Sequence, residues 1–501
     1  MSDTAGSVPP GSSPPADLQM GSAAGRWVLL ATVLGSGLAM LDATVVNVAL
    51  GRIGEDLDAG FAGLQWTINA YTLSLAALIL LGGSLGDRFG RRRVFLVGVV
   101  WFAVASLLCG IAPDIATLVG ARALQGVGGA LMTPGSLAII AASFHPDSRA
   151  AAVGAWSGLG GIAGAVGPLV GGWLVEWHWR LVFLVNVPVA AVVVVVALRH
   201  VPESRDPNAA DRIDVAGTAL AALGLAALTF SLTRAGDVGF TGNVLSILAV
   251  GLACLTAFVV VEARSSHPLV PLDLFRSAQF SAANAVTFLV YAALGVLFVF
   301  LVLQLQVVAG WSPLRSGTAV LPVTVVMLLF SARSGALAQR IGPRLPMALG
   351  SLVAAAGALW MARIGPDASY VVDVLAPVVL FGIGLTLLVA PLTAAVLDAA
   401  ESRHAGVASG VNNAVARTAG LIAVAAIPVA VGIGGADYTD PVAFDAGYSR
   451  AMVVNAVLLL GGAVLAAVFI RRPVAVHDRL PIEDCAHCGV TGPQLHPADP
   501  A

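Results

Sequence analysis

The stretch "GSLGDRFGRRR" (Gly83–Arg93) has a second copy farther along the chain, "GALAQRIGPRL" (Gly335–Leu345). Each copy follows one apolar run and precedes another. Five positions are identical in register, and these are Gly83/Gly335, Leu85/Leu337, Arg88/Arg340, Gly90/Gly342 and Arg92/Arg344. A loop that recurs in the same setting predicts that the chain consists of two related halves.

The rest of the chain is strongly apolar. Of its 501 residues, 58% are hydrophobic and 11% are charged, whereas soluble domains are about one quarter charged. Apolar runs close to the ~20 residues that cross a bilayer as a helix recur along the whole chain. The fourteen predicted spans are 27–50, 64–85, 94–112, 115–137, 149–173, 181–198, 214–233, 243–262, 279–306, 316–338, 346–362, 371–396, 406–432 and 451–470. The sequence therefore predicts an all-α integral membrane protein with 14 transmembrane helices.

The repeated loops set the order of the halves. They follow the second and the tenth span, so spans nine to fourteen repeat spans one to six, and spans seven and eight are an inserted pair. The predicted parts are a disordered cytoplasmic tail (1–25), an N-terminal six-helix half (26–198), a linker with the two inserted helices (199–276), a C-terminal six-helix half (277–472) and a second cytoplasmic tail (473–501). Two related six-helix halves are typical of secondary transporters, which bind their substrate near the bilayer midplane between the halves.

The positive charges predict the orientation. All 26 basic residues are arginine, and seventeen of them lie on the side of the N-terminus, six on the other side, and three within spans. Because short cytoplasmic loops retain positive charge, we expect both termini in the cytoplasm and the protein in the cytoplasmic membrane. The net charge of −2 gives no overall positive field that would attract nucleic acid.

Several motifs, in order, resemble the major facilitator superfamily, and specifically its fourteen-span drug:proton antiporter branch. "LDATVVNVAL" from Leu41 is similar to the signature of that branch, although Gly51 stands where its usual proline would be, and "GGSLGDRFGRRRV" is similar to the superfamily's loop motif. The other similar segments are "RALQGVGGA", "GAVGPLVGG", "WRLVFLVNVP", "LQVVAGWSPLRSGTAVLP" and "GVASGVNNAVARTAG". The resemblance implies a proton-coupled antiporter that works by alternating access on small-molecule substrates. We also expect it to function as a monomer.

One carboxylate, Asp42, lies near the middle of the first span, where no other acid occurs. Burial favours its neutral form and a nearby guanidinium favours its charged form, so the group could change protonation with its surroundings. Arg122 lies deep in the fourth span and must face protein or water, because a lipid-facing guanidinium there costs about 3 kcal/mol or more. We therefore predict that Asp42 carries the proton and that Arg122 tunes it. The alternatives are a structural Asp42 and an Arg122 that binds backbone carbonyls.

Two further motifs predict conformational roles. In the loop after span two, glycines allow tight turns and arginines surround Asp87, which the resemblance implies is a latch to the other half; topogenic charge is the alternative. The predicted latch residues are Gly83, Asp87, Arg88, Gly90, Arg91 and Arg92. In the fifth span, small residues form a strip for close helix packing beside a proline kink, and ordinary packing explains them equally well. These residues are Gly160, Gly164, Gly167, Pro168, Gly171 and Gly172.

Polar and amphipathic residues within spans are candidates for lining the substrate cavity. They are Trp66, Asn69, Tyr71, Gln125, Tyr291, Gln304, Gln306, Asn412, Asn413 and Arg417. Placement at the membrane interface is the alternative for Trp66. Spans ten and thirteen contain no acid, so we expect neutral or monocationic apolar cargo rather than dications.

The remaining motifs limit the function. The tail residues Cys485 and Cys488 are at best half of a zinc site, and we expect no bound metal. We find no phosphate-binding loop and no catalytic Ser/His/Asp arrangement, so we expect no enzyme activity and no cofactor, with the proton gradient as the energy source. The main hypothesis is an exporter of drugs and antibiotics. The alternatives are a dedicated exporter of one endogenous metabolite and, less favoured, a membrane sensor or assembly partner that does not transport.

Overall fold

The computed structural model describes residues 18–206, 214–265, 268–399, 405–438 and 440–471, and these ranges are almost entirely helical. The N-terminal half consists of α1 (Ala23–Asp56), α2 (Phe61–Phe89), α3 (Arg91–Gly110), α4 (Ile115–Ser143), α5 (Pro146–Trp177), α6 (Leu181–Leu184) and α7 (Asn186–His200). The inserted pair is α8 (Val215–Val238) and α9 (Gly242–Arg264). The C-terminal half consists of α10 (Ala278–Leu303), α11 (Pro313–Ala319), α12 (Leu321–Ile341), α13 (Arg344–Met361), α14 (Ala376–Asp398), α15 (Ala405–Val431) and α16 (Pro441–Phe469).

The predicted spans coincide with these helices. Within the described ranges, 13 helical stretches are long and apolar enough to cross a membrane. The predicted fifth span lies inside α5, which is 32 residues long and has several side chains outside the described set. Two spans are divided, since α6 and α7 share the sixth span and α11 and α12 share the tenth. The predicted all-α membrane fold is confirmed.

The terminal segments depart in part from the prediction. Helix α1 begins at Ala23, inside the segment 1–25 that was predicted to be a tail. The backbone of Leu18 also pairs with the loop between α4 and α5, at Ser143 and His145. The tail that carries Cys485 and Cys488 lies outside the described residues, as do 1–17.

Glycines let the helices of each half pack closely. A Cβ atom on Gly128 of α4 would lie 2.6 Å from the backbone nitrogen of Phe102 on α3, and one on Gly357 of α13 would lie 2.8 Å from that of Phe381 on α14. Since real Cβ atoms do not approach backbone so closely, these positions require glycine. Such small-residue contacts bring transmembrane helices together where no hydrophobic effect acts between them.

Successive spans cross the membrane in opposite directions, so the bundle has two ends. The arginine-rich end contains the end of α2 and the start of α3, with Arg88 to Arg93, and the repeated loop with Arg340 and Arg344. Near the opposite end, two hydrogen bonds join the halves. Gln65 donates to the Val424 carbonyl at 2.7 Å, and Gln306 donates to the Val48 carbonyl at 3.1 Å. The inserted helix α8 contacts both α2 and α15, and thus lies along the seam between the halves.

Candidate functional site

The carboxylate of Asp42 is fully buried and accepts three hydrogen bonds from side chains. Arg122 Nη1 donates to Oδ2 at 2.5 Å. Gln125 Nε2 donates to Oδ1 at 2.8 Å, and Asn186 Nδ2 donates to the same atom at 3.2 Å. These donors are one guanidinium and two amides, and a charged donor forms the stronger kind of hydrogen bond with a carboxylate. The first span therefore carries, deep inside the N-terminal half, a carboxylate whose partners come from other helices of that half.

The guanidinium of Arg122 is 1% exposed and is held on every side by protein. Its Nε donates to the Thr67 carbonyl at 2.9 Å, and its Nη1 also donates to Gln125 Oε1 at 2.6 Å. Its Cζ lies 4.4 Å from the centroid of the Tyr71 ring and 5.7 Å from that of Phe183, within the range of cation–π attraction. The predicted pairing of Asp42 with Arg122 is thus present in the geometry.

Two polar residues join this network that the sequence did not single out. Ser106 Oγ accepts from Gln125 at 2.8 Å and from Asn186 at 3.4 Å. Asn186 lies in the segment "WRLVFLVNVP", where one amide in an apolar run was the available signal. The network now spans α1, α3, α4 and α7, all from the N-terminal half. We call the group of Asp42, Ser106, Arg122, Gln125 and Asn186 the carboxylate network.

The loop after α2 is bound within its own half. Asp87 forms an ion pair with Arg91 one turn later, at 2.8 Å, and its carbonyl accepts from the Asp206 backbone at 3.0 Å. The segment after α7 covers the loop, because Glu203 accepts from the Arg92 backbone at 3.1 Å and lies 3.7 Å from the Arg93 guanidinium. The contact of Asp87 with the other half, which the resemblance implied, is not among the contacts of the described residues. In this structure the partner of Asp87 is Arg91, four residues later.

The other predicted latch residues also contact groups of the N-terminal half. Gly90 ends α2 with φ of 113°, which a residue with a side chain rarely adopts. The Arg92 guanidinium donates to the Val201 carbonyl at 3.0 Å, whereas Arg88 lies over the neighbouring ring of Phe89, with its Cζ 5.2 Å from the centroid. Beside Gly83 the nearest atom to an added Cβ is on Pro134, at 3.7 Å.

The small residues of α5 face two different helices. Gly171 packs on α1, where an added Cβ would lie 3.0 Å from Val45 Cα, and Gly167 packs against Thr44 of the same helix. Gly172 packs on α11 of the other half, where its Cβ would lie 2.6 Å from Leu314 Cα. The strip therefore contributes to the contact between the halves. Pro168 is buried in α5, and the surroundings of Gly160 and Gly164 fall in the part of α5 whose side chains are not described.

Several cavity candidates contact neighbouring helices. Trp66 contacts Phe230 of the inserted helix α8, with the ring centroids 6.2 Å apart. Gln304 donates to the Ile364 carbonyl at 2.7 Å and to Asp445. Gln306 is used in the bond between the halves described above.

Two more candidates belong to the contact between α10 and α15. Asn412 donates to Asn284 Oδ1 at 3.1 Å and to Thr287 Oγ1 at 2.8 Å. Tyr291 is half-buried, and its carbonyl lies 3.8 Å from where a Cβ on Gly420 would be.

The remaining candidates lie on α2 and α15. Tyr71 faces the interior of the N-terminal half, where it packs on Arg122 and its hydroxyl donates to the Ala39 carbonyl at 3.2 Å. Asn69 is fully buried, and neither amide atom of its side chain has a hydrogen-bond partner in the described structure. On α15, Asn413 is exposed and Arg417 is partly exposed. Asn69, Asn413 and Arg417 make the seam between α2 and α15 the best candidate for the wall of a substrate cavity.

Comparison with known proteins gives a consistent result over most of the chain. A family model described as Major Facilitator Superfamily matches residues 32–425. The chain is 36% identical to the tetracenomycin C resistance and export protein of Streptomyces glaucescens over 404 residues, which are 80% of this chain and 75% of that protein. It is 36% identical over 406 residues to the puromycin resistance protein pur8 of Streptomyces alboniger, with 80% of each chain covered. The multidrug resistance protein Stp of Mycobacterium tuberculosis is 35% identical over 390 residues, 77% of this chain and 72% of that protein.

Solved structures with the same architecture include peptide transporters. The structure of the POT family transporter PepTSo superposes with a TM-score of 0.65 at 15% identity and covers 89% of this chain and 97% of that one. A peptide transporter POT in complex with sulfate gives a TM-score of 0.65 at 17% identity, with 90% and 97% covered. At this identity the likeness establishes the fold alone.

Proposed function

We propose, because this chain belongs to the Major Facilitator Superfamily, that it exports small apolar compounds across the cytoplasmic membrane in exchange for protons. The family and the relatives named above are transporters, so the chain is a multi-pass membrane transporter and not an enzyme. Proton coupling, alternating access, function as a monomer and cytoplasmic termini are the parts that we propose. The arginine-rich end is then the cytoplasmic end.

The observation that carries the proposal is the carboxylate network. Asp42 is the carboxylate that lies far from both ends of its span, and it is fully buried. We take this arrangement, in which three side chains donate to the carboxylate, as the state after proton release. A proton arriving from the other side of the membrane would weaken the bond to Arg122 and leave that guanidinium in need of a new partner. The proton would thus replace the guanidinium of Arg122 as the partner of Asp42. Protonation of Asp42 on α1 is in this way coupled to the position of α4.

The contacts between the halves support alternating access. Near the end opposite the arginine-rich loops, the halves are joined by the two glutamine bonds and by the close packing of Gly172 on Leu314. Cargo that leaves on that side requires these contacts to separate, while the arginine-rich side closes. Asp87 would then exchange its bond to Arg91 for a partner in the C-terminal half.

The names of the relatives support the cargo class. They include proteins named for resistance to one antibiotic and a protein named for multidrug resistance. We therefore propose antibiotics and similar apolar compounds as cargo, with a dedicated exporter of one compound as the second candidate. A monocationic cargo is less favoured by the geometry, since Arg122 already neutralises the deep carboxylate.

The test measures whether cargo drives the movement of protons across the membrane. Everted membrane vesicles that hold an imposed pH gradient are treated with a panel of antibiotics, and a pH-sensitive acridine dye reports the loss of the gradient. We expect cargo-dependent loss with the wild-type chain and none with Asp42→Asn. Asp440→Asn is the matched control, because Asp440 is an exposed helix cap that asparagine can replace. Wild-type coupling in Asp42→Asn at equal protein level would refute the proton-carrier role.

A further inference from the structure

Arg417 faces the seam between the halves. Gly410, Arg417 and Val424 are spaced by seven residues, about two helical turns, and so share one face of α15. Both ends of this face touch α2. A Cβ on Gly410 would lie 3.2 Å from Leu80, and the Val424 carbonyl accepts from Gln65. Arg417 lies midway between these two contacts and therefore projects toward α2.

The position of Arg417 is close to the centre of the membrane. It comes twelve residues after the start of α15 at Ala405 and fourteen before its end at Val431. Gly420, one turn after Arg417, faces α10, where its added Cβ would lie 3.8 Å from the Tyr291 carbonyl. The guanidinium therefore lies deep in the bundle, as the carboxylate network does, but belongs to the other half.

In the described part of the chain, the guanidinium of Arg417 has no hydrogen bond and no ion pair. It is partly exposed, and Asn413 one turn away is exposed on a nearby side of the helix. A guanidinium and an amide at this depth are strongly unfavourable in lipid, so they indicate a space that water or a polar ligand reaches. Arg122, by contrast, donates to three protein groups, which are Asp42, Gln125 and the Thr67 carbonyl.

The charges around this space do not balance. Asp42 and Arg122 neutralise each other, and every other carboxylate in the described helices lies within about two turns of a helix end. Arg417 is therefore an uncompensated positive charge at the middle of the bundle. Such a charge is stable only if water or an anion is its partner.

We propose that Arg417 binds an acidic group, such as a carboxylate, sulfonate or phenolate, on an otherwise apolar cargo molecule. The planar guanidinium can donate two parallel hydrogen bonds to such a group, which gives both affinity and orientation. The apolar part of the cargo lies against the apolar side chains of the seam and against Tyr291, which is half-buried. This inference rests on the proposed export function and names its substrate class.

The test compares two dyes that differ by one acidic group. Anilinonaphthalene sulfonate is an anion, and N-phenylnaphthylamine is the same aromatic body without the sulfonate. Binding to the full chain in phosphatidylcholine nanodiscs is measured by equilibrium dialysis, with empty nanodiscs as the background and no pH gradient. We expect the wild-type chain to bind the sulfonate at least about tenfold more tightly than the neutral dye.

Variants assign this preference to the guanidinium. Arg417→Gln should abolish the preference, and Arg417→Lys, which keeps the charge, should retain most of it. Arg333→Gln is the matched control, since Arg333 is also a span arginine but donates to the Leu329 carbonyl of its own helix. Folding of each variant is checked by size-exclusion chromatography, and the neutral dye serves as an internal reference.

Three results would overturn the proposal: equal binding of both dyes to the wild-type chain, an unchanged preference in Arg417→Gln, or a loss in Arg333→Gln as large as in Arg417→Gln. Displacement of the sulfonate dye by phosphatidylglycerol at low fraction would instead assign the site to a lipid headgroup, and would also overturn it. Because no gradient is applied, these results are independent of the Asp42→Asn experiment. Either hypothesis can fail while the other holds.

Discussion

The two halves of the bundle treat an arginine at membrane depth in opposite ways. In the N-terminal half, Arg122 is 1% exposed and contacts Asp42, Gln125 and the Thr67 carbonyl. In the C-terminal half, Arg417 is partly exposed and has no partner among the described residues. The first arrangement holds a charged pair inside one half, and we propose that a proton changes it. The second leaves a charge without a protein partner, and we propose that cargo binds to it.

The largest predicted effect is a difference in stability between variants of these two arginines. Arg122→Gln leaves the Asp42 carboxylate buried without its cation, which typically costs about 3–5 kcal/mol. Arg417→Gln removes a charge with no protein partner, so its change should be within about 0.5 kcal/mol. Thermal denaturation of the detergent-solubilised protein, followed by the fraction that remains monodisperse, checks both. Equal losses in the two variants would contradict the comparison.

A double variant sharpens the first result. Asp42→Asn combined with Arg122→Gln replaces a buried ion pair by two amides that can hydrogen-bond to each other, so it should recover part of the stability lost in Arg122→Gln. The same denaturation assay measures the recovery. A double variant that is less stable than both single variants would show that the pair is not the source of the loss.

The second effect concerns the contact between the halves. A methyl group on Gly172 would lie 2.6 Å from Leu314 Cα, so Gly172→Ala should cost about 1–3 kcal/mol and should favour separation of the halves near that end. Gly120→Ala is the matched control, because nothing lies within 4 Å of its added Cβ. In an exposed helix, that change stabilises by roughly 0.5–1 kcal/mol. Thermal denaturation should show a loss of stability in Gly172→Ala and a gain in Gly120→Ala. Labelling of a cysteine placed at Val48 measures the separation of the two halves.

The third effect concerns the covered loop. Glu203→Gln keeps an acceptor for the Arg92 backbone but removes the charge near Arg92 and Arg93. These side chains are partly exposed, so the loss of stability should be about 1 kcal/mol or less and should decrease with salt.

Asp87→Asn should differ from Glu203→Gln by affecting transport more than stability, if Asp87 changes partners during the cycle. Denaturation in low and high salt, together with vesicle transport, separates the two residues.

Much of this architecture could be predicted from the sequence because its signals are local or repeated. The length of the apolar runs fixed the spans, and a lone acid and a lone arginine in such runs predicted the pairing of Asp42 with Arg122. Asn186 and Ser106 could not be found in this way, since one amide or hydroxyl in an apolar run is common and often bonds to its own backbone. The ion pair of Asp87 with Arg91, one turn away in sequence, was not foreseen, and the contact of Asp87 with the other half stays a prediction.

The smallest effect uses an exposed carboxylate as a contrast to Asp42. Asp114 caps α4, and the bonds it accepts from the Thr117 backbone and hydroxyl lower the pKa of its carboxyl below the ordinary 3.8. A lowered pKa in the folded state stabilises the protein above the unfolded-state pKa, and this stabilisation is lost as the pH falls through the folded-state value. The difference in melting temperature between wild type and Asp114→Asn should therefore be constant from pH 7 to about pH 5 and should shrink below about pH 4. A difference that grows on acidification would contradict this assignment, because asparagine keeps the cap but has no proton to gain.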